Sequence, residues 1–392
     1  MSDKKKNLDT FIKLLKKKNI KCKEVISFIK DHAIDLNEYD KYGYNSLHYG
    51  IKSEKPEIVK VLLYLDNNDE NFSAIKADPN KPTKDESNKI FTSPLFLSLL
   101  NANDNSTSYQ IIQYLIQAGA NLDYRDEEGS TLFLHSCEKG RTDIIKLLIN
   151  NIKKENENKE ECEEKIKKLI NDSSKNGGGL HYAIIGQQDD VIELLLEYKI
   201  DLNICNSQCD NSLEYALKEK QMNYFKLILD YITNNKEMNN DDKKKILNHQ
   251  NKDGNTILHE LALCQSSFIL NLVLKLPGEF GVDPELKNKE GFDYKQVAEN
   301  VIESERKRVE DEKKIKEERR RLKEELKQKV YDEEKKKYDE KRKYEEKLRK
   351  QEEFGQILIQ HRGAIFLAFL FVFLVLMYFM IKNASVKKEI II

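Results

Sequence analysis

Histidine and cysteine are the residues of this chain whose side chains could do chemistry. His48, His181 and His259 have the side chain best suited to binding a metal or moving a proton near neutral pH. They occupy one position of a recurring pattern, which favours a structural role in which each ring bonds to neighbouring turn groups. Cys205 and Cys209 are four residues apart, but two further ligands at zinc spacing are missing. We therefore expect no metal, no cofactor and no enzymatic activity.

Other catalytic signatures are also absent from the sequence. The glycine run at 177–179 is followed by Leu-His rather than by Lys-Ser or Lys-Thr, which is typical of a turn and not of a phosphate-binding loop. There is no nucleophile elbow, kinase signature or HExxH run. The six cysteines have no paired spacing, so they do not form a disulfide framework, and no apolar signal segment follows Met1. Four of them look like ordinary small apolar residues: Cys22, Cys137, Cys162 and Cys264.

The charge balance limits the kinds of partner. Lys and Arg total 67, Asp and Glu total 68, and the formal net charge is −1. A protein that binds mainly nucleic acid needs a surplus of cations to neutralise phosphates. The composition therefore argues against nucleic acid as the main partner.

One pattern recurs along the first 300 residues. It has a turn with Gly or Asn, then Leu and often His, then a small residue, and an apolar run about ten residues later. The clearest copies lie at 40–48 with 58–63, 126–131 with 143–148, 180–183 with 191–196, and 253–262. Weaker copies lie at 92–121, 212–229 and 288–298, and residues 11–37 read as an incomplete opening unit. A tandem repeat indicates units that bury their apolar faces against one another.

This pattern resembles the ankyrin repeat, whose core is a Gly turn, then Thr-Pro-Leu-His-x-Ala, then a second helix of the Val-x-x-Leu-Leu type. The resemblance spans residues 8–302 and implies six to seven degenerate repeats with an N-terminal half unit. It implies stacked helix pairs rather than an unrelated helical solenoid. In the copy at 126–148, His135 lies one place beyond the usual histidine position.

Each position of the repeat has a physical reason. Gly43, Gly129 and Gly254 suit a turn that needs positive φ. Ser46, Thr131 and Thr256 suit the start of the first helix, where a hydroxyl accepts a bond from a free backbone N–H. We expect one apolar residue of each copy to point into the stack: Leu47, Leu95, Phe133, Leu180, Leu213 and Leu258.

The gaps between these equivalent residues show where the repeat is interrupted. They are 48, 38, 47, 33 and 45 residues, and the family period of 33 is met once. The extra residues are polar and lie at 66–90, 150–168 and 233–245. We expect them to be exposed loops or helix extensions.

A densely charged segment follows the repeats. Between Glu303 and Glu353, 39 of 51 residues are charged, and there is no Gly or Pro. Acidic residues precede basic ones by four places, as in Glu303–Lys307, Glu310–Lys314 and Glu317–Arg321, with further pairs at 312–316, 325–329, 332–336 and 345–349. Such pairs stabilise an isolated helix, which would be about 77 Å long here.

The apolar residues of this segment form a poor coiled-coil seam. Pairs seven apart occur at 302 and 309, 315 and 322, and 331 and 338, but the three pairs do not share one register. The sequence favours a solitary charged rod, and a loose coiled-coil homodimer through 303–353 stays open. The rod is either a spacer or a merely solvated helix.

The segment from Gly363 to Ile381 has no charged residue. Nineteen helical residues cover about 28 Å, close to the hydrocarbon thickness of a bilayer. We expect one transmembrane helix at 363–381 and a short tail at 382–392, an arrangement that resembles a tail-anchored, single-pass membrane protein with its N-terminal region in the cytosol. The endoplasmic reticulum is favoured, and the mitochondrial outer membrane is possible.

Together these features predict an all-α chain: an ankyrin-repeat solenoid at 8–302, a charged helix at 303–353 and a transmembrane helix at 363–381. The predicted function is a membrane-tethered scaffold or adaptor that binds an unidentified protein. The alternative is a structural membrane protein that associates with itself through the charged helix. The candidate partner-binding residues are those at the tips of the repeat hairpins: Lys41, Tyr42, Tyr44, Glu127, Glu128, Ser207, Gln208, Lys252 and Asn255.

Overall fold

A computed structural model of the chain describes residues 2–63, 76–84, 92–100 and 105–388. Within those ranges the chain forms eighteen helices and one two-stranded hairpin. It divides into two units, Met1–Ile302 and Glu303–Ile392. Most of the polar insertion at 66–90 and the last four residues of the 382–392 tail lie outside the described residues. The predicted all-α class is confirmed.

The first unit is built from pairs of helices that follow one another along the chain. Seven pairs are present in its described part, and the opening segment is itself a pair rather than half of one. The pairs are α1 (Ser2–Leu15) with α2 (Cys22–His32), α3 (Ser46–Lys52) with α4 (Pro56–Leu62), α5 (Pro94–Leu100) with α6 (Asn105–Gln117), α7 (Leu132–Glu138) with α8 (Thr142–Glu155), α10 (Gly179–Gly186) with α11 (Asp189–Glu197), α12 (Ser212–Lys218) with α13 (Met222–Asn234), and α15 (Ile257–Leu263) with α16 (Ser267–Leu274).

Two of the insertions form helices of their own. The insertion at 150–168 extends α8 to Glu155 and then forms α9 (Lys159–Ile170), and the insertion at 233–245 contains most of α14 (Asn240–Leu247). Each added helix buries apolar residues near its end, Ile170 in α9 and Ile246 with Leu247 in α14. They are therefore packed additions to the stack. The hairpin of β1 (Ser173–Ser174) and β2 (Gly177–Gly178) follows α9, so the glycine run forms a turn and a helix start.

The predicted turn and helix-start residues can be checked one by one. The three turn glycines have φ between 74° and 80°. The side chain of Thr131 accepts a bond from the N–H of Leu134, as expected for a cap. The expectation for Ser46 is wrong, because Asn45 is the cap of α3 and accepts the N–H of His48 at 3.0 Å. Asparagine, like serine, offers a short side-chain oxygen for this bond.

The core of the first unit lies between successive pairs. All six residues expected to point into the stack are at most 2% exposed, so that prediction is confirmed. At Gly186 the backbone of α10 approaches α7 so closely that a Cβ atom would lie 1.9 Å from the carbonyl oxygen of Glu138. Only a residue without a side chain allows the two backbones to approach so closely.

The second unit consists of charged helix followed by apolar helix. Helix α17 (Tyr294–Gln360) begins in the last repeat and continues through the charged segment. Three predicted ion pairs form, with nitrogen–oxygen distances of 2.7 Å for Lys307–Glu303, 3.2 Å for Lys314–Glu310 and 3.2 Å for Arg321–Glu317. Glu312 and Glu345 instead pair with the preceding bases Arg308 and Lys341, each at 3.8 Å.

Helix α18 (Arg362–Lys388) contains the apolar segment. The most apolar 18-residue window within Arg362–Lys382 has a mean hydropathy of 2.9, and none of that window is buried against the rest of the chain. By length and composition this helix is able to cross a membrane.

Candidate functional site

The hairpin turns between the repeats are tied to one another by backbone hydrogen bonds. Each bond runs from an N–H in one turn to a carbonyl oxygen in a neighbouring turn or segment. They join Lys84 to Gly43 at 3.0 Å, Ser207 to Lys175 at 2.8 Å, Lys252 to Gln208 at 2.8 Å, and Lys289 to Asp253 at 2.9 Å. The side chains at the tips therefore stand on a backbone whose position is set by the next repeat.

Within each turn, an Asp or Asn side chain fixes the conformation. Asp40 Oδ1 accepts the N–H groups of Tyr42 and Tyr44 at 2.9 and 3.0 Å. Asp126, Asn206, Asn251 and Asn288 make the same pair of bonds in later turns. This side-chain mimicry of a backbone turn explains why these residue types recur at this position.

Seven of the nine predicted tip residues are exposed: Lys41, Tyr42, Glu127, Glu128, Ser207, Gln208 and Lys252. The other two, Tyr44 and Asn255, are half-buried. Asn255 Nδ2 donates to Glu260 at 3.1 Å and its Oδ1 accepts from Asn288 at 3.1 Å, so Asn255 holds two turns together. Glu128 is paired with Lys175 at 2.6 Å. The tips thus divide into residues that face solvent and residues that support them.

A cavity of about 650 Å³ lies at the N-terminal end of the row of tips. Residues that directly follow α1 form one side of the cavity, and α3 and the first turn form its other sides. Its lining is basic and aromatic. The lining residues, which together define the Lys/Tyr cavity, are Lys16, Lys18, Tyr42, Tyr44, Tyr49, Lys52, Ser53 and Lys55. It brings together two predicted tip residues, Tyr42 and Tyr44, with lysines that the repeat pattern did not single out.

Aromatic rings hold two of these lysines in place. Lys16 Nζ lies 4.4 Å from the ring centroid of Tyr49, and Lys52 Nζ lies 4.3 Å from that of Tyr44. Both distances are within the range of a cation–π interaction. The Tyr49 hydroxyl donates to Asp40 at 2.6 Å, and burial together with this carboxylate raises the pKa of Tyr49. The cavity therefore gathers several ammonium groups beside tyrosine rings, an arrangement that suits an anionic ligand.

The three repeat histidines join neighbouring repeats. In each, Nδ1 accepts the N–H of the residue before its helix, at 3.0 Å for His48 and 3.2 Å for His181 and His259. Nε2 then donates to a carbonyl oxygen in the following turn, with distances of 2.8 Å to Lys81, 3.0 Å to Asp210 and 3.0 Å to Phe292. The structural role predicted for these histidines is confirmed.

Burial disfavours the charged form of two of these rings, His48 and His181. It lowers the pKa of His48 to about 4 and lowers that of His181. Only a neutral ring can accept at Nδ1 and donate at Nε2 at the same time. His135, one place further along its helix, instead bonds Asp126 Oδ2 of its own repeat at 2.8 Å.

The comparisons with known proteins agree with this architecture. A family model for ankyrin repeats in many copies matches residues 104–149, and a model for the single ankyrin repeat matches residues 180–207. The chain is 25% identical over 298 residues to a protein of Acanthamoeba polyphaga mimivirus that is named provisionally as an ankyrin repeat protein. That alignment covers 68% of this chain and 34% of the relative, so the chain spans about a third of the relative's length.

Two solved structures are similar in fold. The ankyrin repeat domain of Bcl-3, a member of the IkappaB family, is 19% identical with a TM-score of 0.44, and the match covers 66% of this chain and 95% of that domain. The human ASB11 ankyrin repeat domain is 17% identical with a TM-score of 0.43, covering 63% of this chain and 89% of that domain. The matched family models and the mimivirus relative show that this chain contains ankyrin repeats, in agreement with its stacked helix pairs.

Proposed function

We propose that this protein is a membrane-tethered interaction module whose repeats bind another protein on the cytosolic side of a membrane. Ankyrin repeats indicate protein–protein interaction, and the family is typically composed of non-enzymatic binding domains. The exposed tips supply side chains on a rigid backbone, which lowers the entropy lost on binding.

The Lys/Tyr cavity is the single observation that carries the proposal. Two of its four lysines, Lys16 and Lys52, are held against tyrosine rings, so their positions are partly fixed before a partner arrives. Ammonium groups and tyrosine hydroxyls form charge-assisted hydrogen bonds with carboxylates. We infer that the partner presents an acidic segment, rich in Asp and Glu, to this cavity and packs beside it on the remaining exposed tips.

Affinity capture with the full-length chain in detergent tests this inference. The test variant is Lys16→Ala with Lys52→Ala. The matched control is Lys244→Ala with Lys245→Ala, which removes two exposed lysines of α14 outside the cavity. Proteins retained by the wild type and the control but lost from the test variant, and released by rising salt, support the proposal. Equal retention by all three proteins would contradict it.

Helix α18 is the proposed tether. Its stretch Arg362–Lys382 has the length and hydropathy of a bilayer-spanning helix and no contact with a protein core. The charged part of α17 would act as a spacer between this tether and the repeats. A tagged full-length chain should localise to a membrane, with the endoplasmic reticulum favoured over the mitochondrial outer membrane. A chain truncated after Gln360 should not, and unchanged localisation would remove the tether from the proposal.

The alternative function is self-association through residues 303–353. In the structure, the apolar residues of this segment are exposed, including Ile315 at 51% and Leu322 at 57%. Their spacing, however, provides no continuous seam. We therefore expect a monomer in sedimentation equilibrium of the full-length chain in detergent. A dimer that dissociates on Leu322→Lys substitution would favour the alternative.

A further inference from the structure

Three side chains from separate segments line up beside the turn between α11 and α12. Cys205 lies in that turn, Glu214 in the first turn of α12, and His249 just after α14. Cys205 Sγ is 3.5 Å from His249 Nε2, and His249 Nδ1 is 2.9 Å from Glu214 Oε2. The three groups form a row, which we call the line: the Cys205 thiol, the His249 imidazole and the Glu214 carboxylate. The line has no part in the proposed partner binding.

The line exists because one copy of the repeat departs from the pattern. Glu214 occupies the position that His48, His181 and His259 hold in other copies, and its Oε2 accepts the N–H of Asn211 at 2.9 Å, as a ring nitrogen does elsewhere. A carboxylate has no proton to donate to the next turn. His249 supplies that link instead, by donating from Nδ1 to Glu214.

Cys205 and the buried carboxylate of Glu214 both favour the protonated form of the imidazole. Glu214 is fully buried, and its Oε1 has no hydrogen-bond partner among the described residues. An ionised carboxylate in such a place needs an adjacent cation. The hydrogen bonds with Cys205 and Glu214 raise the pKa of His249 to about 10. A ring that carries both protons directs Nδ1–H at Glu214 and Nε2–H at Cys205.

An imidazolium beside a cysteine stabilises the thiolate, which is the nucleophilic form of the side chain. In its thiol form Cys205 also donates to the carbonyl oxygen of Asn203 at 3.2 Å, and this bond is given up when the thiolate forms. Cys205 is half-buried, so the residue is not closed off from solvent. The arrangement combines a nucleophile, a charge-stabilising group and a group that orients the latter.

We propose that Cys205 is a reactive thiol and a modification site for small disulfides of the glutathione type. The Cys205 thiolate attacks one sulfur of the disulfide, a new sulfur–sulfur bond forms to the protein, and the disulfide bond of the reagent breaks. The released small thiolate takes up a proton from water. The electrons balance within the exchange, so no further oxidant is required.

The chain contains its own control. Cys209 lies four residues away and is exposed, and no imidazole or carboxylate is bonded to its side chain within the described residues. Cys137 is fully buried and reports loss of structure. Full-length protein in detergent is treated with oxidised glutathione at pH 7, quenched by acid, and each cysteine is quantified by peptide mass spectrometry. An ordinary thiol is only a few per cent thiolate at this pH. We expect Cys205 to react about ten-fold faster than Cys209.

Two variants test the role of the line. His249→Gln removes the cation, and Glu214→Gln keeps an acceptor for Asn211 while removing the charge that holds the proton. Each should lower the Cys205 rate to that of Cys209 or below, with the rates of Cys209 and Cys137 unchanged. A rise in Cys137 modification identifies a variant that has unfolded. In that case the comparison of the Cys205 and Cys209 rates in the wild type decides the test alone. If Cys205 in the folded wild type reacts no faster than Cys209, or if folded His249→Gln reacts as the wild type does, the proposal is overturned.

Discussion

Acidification should weaken the joint that His48 makes between two neighbouring repeats. The ring is fully buried, and it accepts a bond at Nδ1 while Nε2 bonds the Lys81 carbonyl. Protonation of Nδ1 destroys the first bond and leaves a charge without solvent. Since the neutral form is favoured in the folded chain, the folded chain binds the proton less readily than the unfolded chain does.

The magnitude follows from the two pKa values. Burial lowers the pKa of His48 from 6.5 in an unfolded chain to about 4. The stabilising contribution is fully present above pH 6.5 and is lost as the pH falls towards 4. Each pH unit in this window is worth about 1.4 kcal/mol, so at pH 4.5 the unfolding free energy should have fallen by about 2.5 kcal/mol on account of this residue.

The measurement compares how much the unfolding free energy changes between two pH values in the wild type and in a variant without His48. Urea unfolding of full-length protein in detergent, followed by the near-ultraviolet circular dichroism of its tyrosines, gives the unfolding free energy at pH 7 and at pH 4.5. His48→Gln is the test variant, because glutamine at this helix position accepts the N–H of Asn45 and does not titrate. The wild type should lose about 2.5 kcal/mol more than His48→Gln between the two pH values.

The control is His32→Gln, which removes an exposed histidine of α2 and should show the full pH dependence of the wild type. Other acid-sensitive groups contribute equally to all three proteins and cancel in the comparison. If His48→Gln and the wild type lose the same free energy within about 0.5 kcal/mol, the neutral buried ring is not what couples this joint to pH.

Three further substitutions should lower the unfolding free energy of the repeats in the same urea assay. Gly186→Ala should cost about 2 kcal/mol or more, because its new Cβ would lie 1.9 Å from the Glu138 carbonyl oxygen. Phe225→Ala empties a fully buried site in α13 and should cost about 3–5 kcal/mol. Arg141→Met should cost about 2 kcal/mol, since this 4% exposed side chain donates to Asp143 at 2.8 and 2.7 Å.

Each of these substitutions has a counterpart outside the packed repeats. Gly278→Ala places a Cβ with nothing within 4 Å, Tyr331→Ala truncates a 60% exposed ring of α17, and Arg320→Met removes an exposed guanidinium of the same helix. None should change the unfolding midpoint measurably. A test variant that behaves like its counterpart would show that the corresponding contact does not stabilise the stack.

The repeat pattern predicted what depends on local spacing. The leucines at the stacking position are buried, and the histidine one place later bonds to turn groups, because both follow from a helix that always begins at the same point of the unit. The helices formed by the insertions were less visible. In α9 the sequence Lys159–Ile170 is mostly charged, and only its last apolar residues reveal a face that packs.

Contacts between repeats could not be read from local spacing. Lys16 and Lys52 both line the Lys/Tyr cavity although they are 36 positions apart in the sequence. Neither belongs to the turn motif. The density of Lys and Tyr between positions 39 and 60 was the available signal. Glu214 and His249 were missed for the same reason, although a Glu at a histidine position of the repeat is visible in the sequence. The tip residues stay predictions until binding is measured.

The joints between repeats are of two electrostatic kinds, and they respond to pH in opposite directions. The His48 joint is complete above pH 6.5 and weakens as the pH falls towards 4. His249 has a pKa raised to about 10, so its contribution is complete below pH 6.5 and is lost as the pH rises through 10. Both kinds of joint are present near neutral pH, where they stabilise the same stack.

The bonds of His249 with Cys205 and Glu214 raise its pKa, and this gives the His249 joint a pH dependence opposite to that of the His48 joint. Burial raises the pKa of Glu214, and the bonds from His249 and Asn211 oppose this shift because they favour the ionised form. A histidine at this position would have made the same link to the next turn without a charge. Replacing one neutral ring by a carboxylate and a charged ring therefore places an ion inside the stack, which is unfavourable. The same replacement places a cation beside Cys205.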